Sequence, residues 1–204
     1  MIKLLNMDCL DYLKDCDDNA FDLAMVDPPY GISINSNMGL RKGQVKRHEE
    51  KKWDESIPPS LYFEQLFRVS VNQIIWGGNY FPLGPSRHVI WWEKETPEGM
   101  SFSCGELAWT SFNRANRSYT KRNTDGFKIH PTQKPVKLYD WLLSNYSEPG
   151  QRVLDTHLGS GSSAVAAHYY GVDFVGIEID EDYYKAALMR FDAETAQLDL
   201  LGDM

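Results

Sequence analysis

Between residues 152 and 179 an apolar strand, a glycine turn, a helix and a second apolar strand follow one another, and this run constrains the fold more than any other stretch. Val153-Leu154-Asp155 is apolar up to its acid, and Gly159-Ser160-Gly161-Ser162-Ser163-Ala164 fits the GxGxxG/A spacing. Residues 162–170 read as a helix and 173–179 as the next strand, with Glu178 near its end. Strand, turn, helix and strand in so short a length make a βαβ crossover. Its nearly continuous apolar strands belong inside a parallel sheet covered on both faces. Glycines permit a tight turn and close approach of a ligand, and an acid at the end of the next strand accepts hydrogen bonds from ribose hydroxyls. The unit is thus a nucleoside-binding candidate of Rossmann type, against the plainer reading of a turn that packs helix on strand.

The rest of the sheet must come from upstream, because only one helix, from residue 182 to about 201, follows this unit. Residues 2–6 and 21–26 are apolar strands flanking a helical stretch at 9–14. A helix is predicted over 59–72, with Leu61, Phe63, Leu66, Phe67 and Val71 on its buried face. Strands are predicted at 73–76, 88–92 and 106–112, and an amphipathic helix over 136–146, with Leu138, Trp141, Leu142 and Tyr146 on one side. An open sheet accepts this order if the chain is circularly permuted, so that the first strand lies beside the 176–179 strand. The predicted fold class is α/β: one Rossmann-like domain over 1–204 with a mostly parallel, doubly wound sheet. Asp8, Asp27, Asp155 and Glu178 then stand at carboxyl ends of strands, where ligands bind in such sheets. Four carboxylates around one crevice suit a cationic ligand and repel pyrophosphate. S-adenosylmethionine, with a sulfonium, an ammonium and a single carboxylate, meets that condition.

Asp27-Pro28-Pro29-Tyr30 closes an apolar strand and carries the reactive chemistry. The exocyclic amine of a base is a poor nucleophile, because its lone pair is delocalised into the ring. Acceptors aimed at its two N–H bonds let the nitrogen pyramidalise as it attacks a methyl carbon. Asp27 offers a carboxylate, the Pro28 carbonyl a second acceptor held rigid by Pro29, and Tyr30 a ring on which a flipped base stacks. A bare Pro-Pro turn after a core strand is the alternative.

With these residues in place, the chain resembles the DNA amino-methyltransferases, in the permuted, beta-class-like group whose catalytic motif precedes the cofactor motif. The matching pieces are Asn6-Met7-Asp8-Cys9, the DPPY at 27–30, Trp76-Gly77-Gly78-Asn79-Tyr80-Phe81, His130-Pro131-Thr132-Gln133-Lys134-Pro135, the run 154–163 and Gly176-Ile177-Glu178. The pattern is similar to that of short, stand-alone N6-adenine methylases of phages and mobile elements. The resemblance implies that Asp155 and the loop Gly159, Ser160, Gly161, Ser162 and Ser163 hold the amino-acid end of S-adenosylmethionine. It implies further that Glu178 with Ile179 takes the ribose, Asp8 with Cys9 the adenine ring, and that Asp27 and Thr132 border the cofactor. Lys134 precedes a helix whose dipole disfavours a cation. A carboxylate partner is therefore expected, with the methionine carboxylate as candidate, against the plainer reading of an ordinary surface lysine. His157 stands where many relatives have phenylalanine, and a packing role is expected for it.

The net charge of −8 argues against a polyanion partner until its distribution is considered. Residues 41–52 hold six basic and two acidic residues, and 113–137 hold seven and one. A mobile basic loop is expected over 31–58 and a short DNA-recognition segment over 112–128. Lys46, Arg47, Arg114, Arg117, Lys121 and Arg122 are the phosphate-contact candidates. So short a recognition segment also favours a homodimer on DNA. The three cysteines and five histidines show no ligand spacing, so no metal is expected. No apolar run spans a bilayer and acids come early, so a cytoplasmic protein is expected. C5-cytosine methylation is excluded, since it needs a cysteine nucleophile, usually after proline, and Cys9, Cys16 and Cys104 follow Asp or Ser. Other acceptors remain open: N4 of cytosine, an RNA adenine or a glutamine side chain. So do a non-catalytic subunit of the same fold and, weakened by topology, a nicotinamide oxidoreductase.

Overall fold

The computed structural model describes residues 1–33, 54–96, 103–123 and 128–199. In chain order the elements are β1 (Ile2–Asn6), α1 (Cys9–Lys14), β2 (Phe21–Val26), α2 (Ser60–Val69), β3 (Ser70–Trp76), β4 (Val89–Glu93), β5 (Gly105–Thr110) and β6 (Arg117–Thr120). They are followed by α3 (Val136–Tyr146), β7 (Arg152–Asp155), α4 (Ser162–Tyr170), β8 (Asp173–Glu178) and α5 (Glu181–Asp199). All eight strands form one sheet in the order β1-β8-β7-β2-β3-β5-β4-β6. The first five run parallel, β5 is antiparallel to both β3 and β4, and β6 lies parallel to β4 at the edge. The permuted order is present as expected: β1 pairs with β8, with Leu4 opposite Gly176 and Asn6 opposite Glu178.

The parallel strands are apolar throughout because both of their faces are covered. Leu23, Met25, Ile74, Val153 and Phe174 pack under α3 and α4 with Leu138, Leu142, Leu143, Ala164 and Ala167. On the opposite face Ala24, Val26, Ile75, Leu154 and Ile177 pack under α1 and α2 with Leu13, Tyr62, Phe63, Leu66 and Val69. Alternate residues of β2 thus feed opposite cores, as the period-two geometry of a strand requires. Helix α4 begins at Gly161, which has φ +74°, and residues 162–167 are all small or β-branched and buried. Their size lets the helix lie close to the sheet.

Helix α2 departs from expectation. It ends at Val69, and its inward face is Tyr62, Phe63, Leu66 and Val69, whereas Leu61, Phe67 and Val71 are exposed. Ser70 already has extended backbone, so Val71 belongs to β3 and points outward. β6 is a strand that the sequence pattern does not predict. It converts part of the 112–128 segment into sheet edge.

Candidate active site

The carboxyl ends of the strands enclose a cavity of about 240 Å³, lined among others by Asp27, Pro28, Pro29, Tyr30, Glu106, Thr132, Lys134, His157, Gly159, Ser160, Glu178 and Ile179. The turn 27–30 is held from several sides. Asp54 accepts hydrogen bonds from the backbone N–H groups of Tyr30 (2.7 Å) and Gly31 (3.0 Å). The Tyr30 hydroxyl donates to Asp27 Oδ1 at 2.6 Å. Burial, and then the Asp27 charge, push the Tyr30 phenol well above its ordinary value, so it remains a donor. Its ring is stacked on Tyr80, 5.0 Å between centroids and 12° between planes. Gly77 backs the same ring so closely, at φ +68°, that a Cβ there would lie 2.2 Å from it. The aromatic face expected for a flipped base is therefore partly covered by Tyr80.

Lys134 is buried, 3% exposed, and its Nζ is paired with Asp27 Oδ2 and, at 3.0 Å, with Glu106 Oε2. The protein itself supplies the expected carboxylate partner, twice over, in Asp27 and Glu106. Burial alone would lower the Lys134 ammonium, yet the Asp27 and Glu106 carboxylates raise it above the ordinary lysine value. Burial likewise works against the Glu106 carboxylate, and Lys134 and Lys94 together hold it well below the usual range.

At the glycine loop, Glu178 accepts the Gly159 N–H at 2.8 Å and the Asp180 N–H at 2.9 Å. A carboxylate offers about four acceptor positions, so these bonds leave room for a further donor. Asp155 is 1% exposed and does not line the cavity. Its oxygens accept the His157 N–H at 3.0 Å and the Ser163 hydroxyl at 2.6 Å. These bonds shape the loop, and burial pushes the Asp155 carboxyl up to about 7. Gly161, Ser162 and Ser163 also stand behind the cavity wall, where Arg190 bonds the Ser160 carbonyl (3.1 Å) and the Ser162 hydroxyl (2.9 Å). Asp8 and Cys9 lie outside as well. Asp8 caps α1 through the Leu10 N–H at 2.8 Å, and burial pushes the Cys9 thiol up to about 12, which leaves no thiolate nucleophile at neutral pH.

His157 shows both packing and polar contacts. Tyr62, 1% exposed, is 2.7 Å from Thr156 Oγ1, which is 2.9 Å from His157 Nδ1. Both hydroxyl hydrogens are satisfied if Tyr62 donates to Thr156 and Thr156 to Nδ1. Burial lowers the imidazole to about 4, so it is neutral.

The basic residues separate into two groups. β6 runs in the same direction as the parallel strands, so Arg114 and Arg117 lie at the amino end of the sheet, away from the cavity. Arg114 stacks over Phe112 and Tyr146, and Arg117 bonds the Asn145 side chain at the end of α3. Both are anchors for a helix C-terminus, which favours cations. Lys121 and Arg122 follow β6 at the carboxyl edge. Lys46, Arg47 and most of the 31–58 loop fall outside the described residues. Glu106, Lys94 and Asp54 carry no local sequence signal of a place in the site, and Tyr80 belongs to the Trp76–Phe81 motif, which assigns it no role.

The cavity suits S-adenosylmethionine better than a pyrophosphate. Among the described residues Asp27, Asp54, Glu106, Glu178 and Asp180 line it, against Lys134 alone among Lys and Arg. A model of the N6/N4 DNA methylase family matches residues 75–189, more than half of the chain. This chain belongs to that DNA methylase family. YubD of Escherichia coli (strain K12) is 26% identical to the methylase over 95% of this chain and 91% of its own. The type II methyltransferase M2.DpnII of Streptococcus pneumoniae is 23% identical over 94% and 90%. Among solved structures, the M1.HpyAVI complex with S-adenosylmethionine has a TM-score of 0.63 at 19% identity, over 94% of this chain and all of that one. The cytosine-N4-specific PvuII DNA methyltransferase has a TM-score of 0.64 at 13% identity, over 96% and 90%. The methylase is thus an S-adenosylmethionine-dependent DNA methyltransferase. No helix among its described residues is long and apolar enough to cross a membrane.

Proposed function

We propose that the methylase transfers the methyl group of S-adenosylmethionine to N6 of adenine in double-stranded DNA, on a base turned out of the helix. The observation that carries this reading is the end of β2. There a carboxylate with both oxygens held precedes a buried proline whose carbonyl accepts no hydrogen bond among the described residues. When bound, S-adenosylmethionine supplies a methyl carbon on a cationic sulfur that leaves as a neutral thioether. Asp27 and the Pro28 carbonyl accept the two amine N–H bonds, so the nitrogen lone pair turns out of the ring toward that carbon. The N–C bond forms as the C–S bond breaks, and one amine proton then passes to solvent. Tyr30 keeps Asp27 oriented and offers its ring to the base, with Tyr80 moving aside. Glu178 accepts ribose hydroxyls, and Thr132, Gly159, Ser160 and Ile179 border the cofactor. Lys121 and Arg122, with Lys46 and Arg47, grip the phosphates.

Aspartate ahead of the proline pair favours adenine by the pattern of the family. N4 of cytosine is the second reading, because its amine makes the same two hydrogen bonds and the PvuII enzyme shares the fold. Methylation-sensitive sequencing of DNA from cells expressing the chain tests both. N6-methyladenine in a fixed sequence context is expected. N4-methylcytosine would replace the reading with its runner-up, and unmodified DNA would remove it.

A further inference from the structure

Four side chains of alternating charge run in series from Lys94 to Asp27. Lys94, just beyond β4, pairs with Glu106 on β5. Glu106 pairs with Lys134 at 3.0 Å, and Lys134 pairs with Asp27. The Lys134 side chain is 2% exposed and lies 5.3 Å from the centre of the Trp76 ring. Glu106 and Lys94 belong neither to the glycine loop nor to the 27–30 turn. They come from the antiparallel strands added beyond β3 and reach the site only because β5 starts at the carboxyl edge of the sheet.

Neutralising a buried lysine needs one carboxylate, and Asp27 already provides it. A second carboxylate, with its own lysine behind it, is a costly way to gain stability, since buried ion pairs often contribute less than apolar residues of the same volume. What the chain does add is geometric constraint. Asp27 is held on Oδ1 by the Tyr30 hydroxyl at 2.6 Å and on Oδ2 by Lys134. Lys134 is in turn paired with Glu106. With both ends fixed, the carboxylate cannot rotate, and its remaining lone pairs keep one direction.

We propose that Glu106, backed by Lys94, is a positioning residue for methyl transfer: it holds Lys134 on Asp27 so that the carboxylate stays aimed at the incoming amine. The proposal rests on the reading of Asp27 as the amine acceptor. It also separates two properties of the site, because Glu106 lies at the acceptor end and its loss leaves the Gly159 and Glu178 end untouched.

The test is single-turnover methyl transfer to duplex DNA at saturating S-adenosylmethionine, with S-adenosylhomocysteine affinity measured in parallel for each variant. Glu106→Gln is expected to slow transfer about 10- to 100-fold, the usual cost of losing a partner that orients a functional group, with affinity unchanged. Its rate should also acquire a falling limb at alkaline pH, since a Lys134 with one carboxylate loses its proton sooner. Glu106→Asp should recover part of the rate. In a Lys134→Met background Glu106→Gln should cost nothing further, because its effect passes through Lys134. Lys94→Met, at the partly exposed end of the chain, should slow transfer less and leave the melting temperature unchanged. It gives a readout should Glu106→Gln fail to fold. A wild-type rate in Glu106→Gln or in a folded Lys94→Met, losses that multiply with Lys134→Met, or a rate loss matched by lost affinity would each overturn the proposal. Asp27→Ala is the control: if it is inactive while Glu106→Gln is fully active, only the positioning role is overturned, whereas an active Asp27→Ala removes the reading beneath it.

Discussion

Replacing Lys134 by methionine separates two accounts of this lysine, as an internal counter-ion or as a ligand for the methionine carboxylate of the cofactor. The side chain is 2% exposed and sits between Asp27 and Glu106, whose side chains are 17% and 21% exposed. Methionine keeps the length and the contact with Trp76 but leaves two poorly solvated carboxylates without their shared cation. Removing one partner of a buried pair costs about 3–5 kcal/mol, which for a domain of this size corresponds to a fall in melting temperature of roughly 6–20 °C. The sign of its pH dependence follows. With Lys134 gone, burial acts on the Glu106 carboxyl with one lysine fewer to oppose it, so its folded pKa rises, protonation relieves the variant and the deficit shrinks as pH falls. Adding Asp27→Asn should recover part of the loss by removing one of the two charges. Thermal unfolding followed by circular dichroism, without cofactor, measures each quantity. A variant within about 1 kcal/mol of wild type, as expected of a weakly coupled surface charge, would refute the burial argument. If it also bound S-adenosylmethionine more weakly, Lys134 would be a cofactor ligand after all.

Glu178→Ala should weaken S-adenosylhomocysteine binding by about 1.5–3 kcal/mol, the worth of a hydrogen bond to a charged group, and unchanged affinity by calorimetry would mean that the ribose is held elsewhere. Because burial holds Asp155 near 7 against an ordinary 3.8, the stability it contributes is fully present below about 4 and is lost as pH rises toward 7. Binding of the cationic cofactor favours the ionised form, so affinity should rise between roughly pH 6 and 8, and Asp155→Asn should flatten both trends in titrations across that range. Alanine at Lys121 and Arg122 should lower the log–log salt slope of DNA binding by about 0.9 for each phosphate no longer neutralised, measured by fluorescence anisotropy. The same change at Arg114 and Arg117 should leave that slope alone and lower the melting temperature, and the opposite outcome would reverse the assignment of the two pairs.

The βαβ unit and the turn at 27–30 are legible in the sequence because each is local, a run of apolar residues with two glycines or two prolines, and the permuted order follows from the predicted strands lying upstream of that unit. What escapes such a reading depends on side chains that meet from distant segments. The helix dipole predicts a carboxylate partner for Lys134, but Glu106 lies on an antiparallel strand whose register no local pattern specifies. Asp8 and Asp155 do stand at strand ends, yet each is used by backbone groups within a few residues, Asp8 as a helix cap and Asp155 through the His157 N–H. Short-range partners of this kind give such a residue a loop-shaping role that a strand-end position alone does not reveal. The apolar pattern places the buried face of α2 out of phase because Tyr62 reads as amphipathic. In the fold its hydroxyl reaches Thr156, and the whole side chain is buried. β6 gives no signal because Arg117-Ser118-Tyr119-Thr120 has no apolar alternation, being an edge strand held to the sheet on one side only.

The central claim, amine methylation at Asp27, is tested most directly by incubating the purified chain with duplex DNA and methyl-labelled S-adenosylmethionine, digesting the DNA and identifying the labelled nucleoside. The account predicts label in N6-methyladenine for the wild-type chain. It predicts none for Asp27→Ala, although that variant still binds S-adenosylhomocysteine, because the carboxylate acts where charge develops on the attacking amine. Label in N6-methyladenine from Asp27→Ala at the wild-type rate would contradict the mechanism, and label found in N4-methylcytosine would contradict the choice of base.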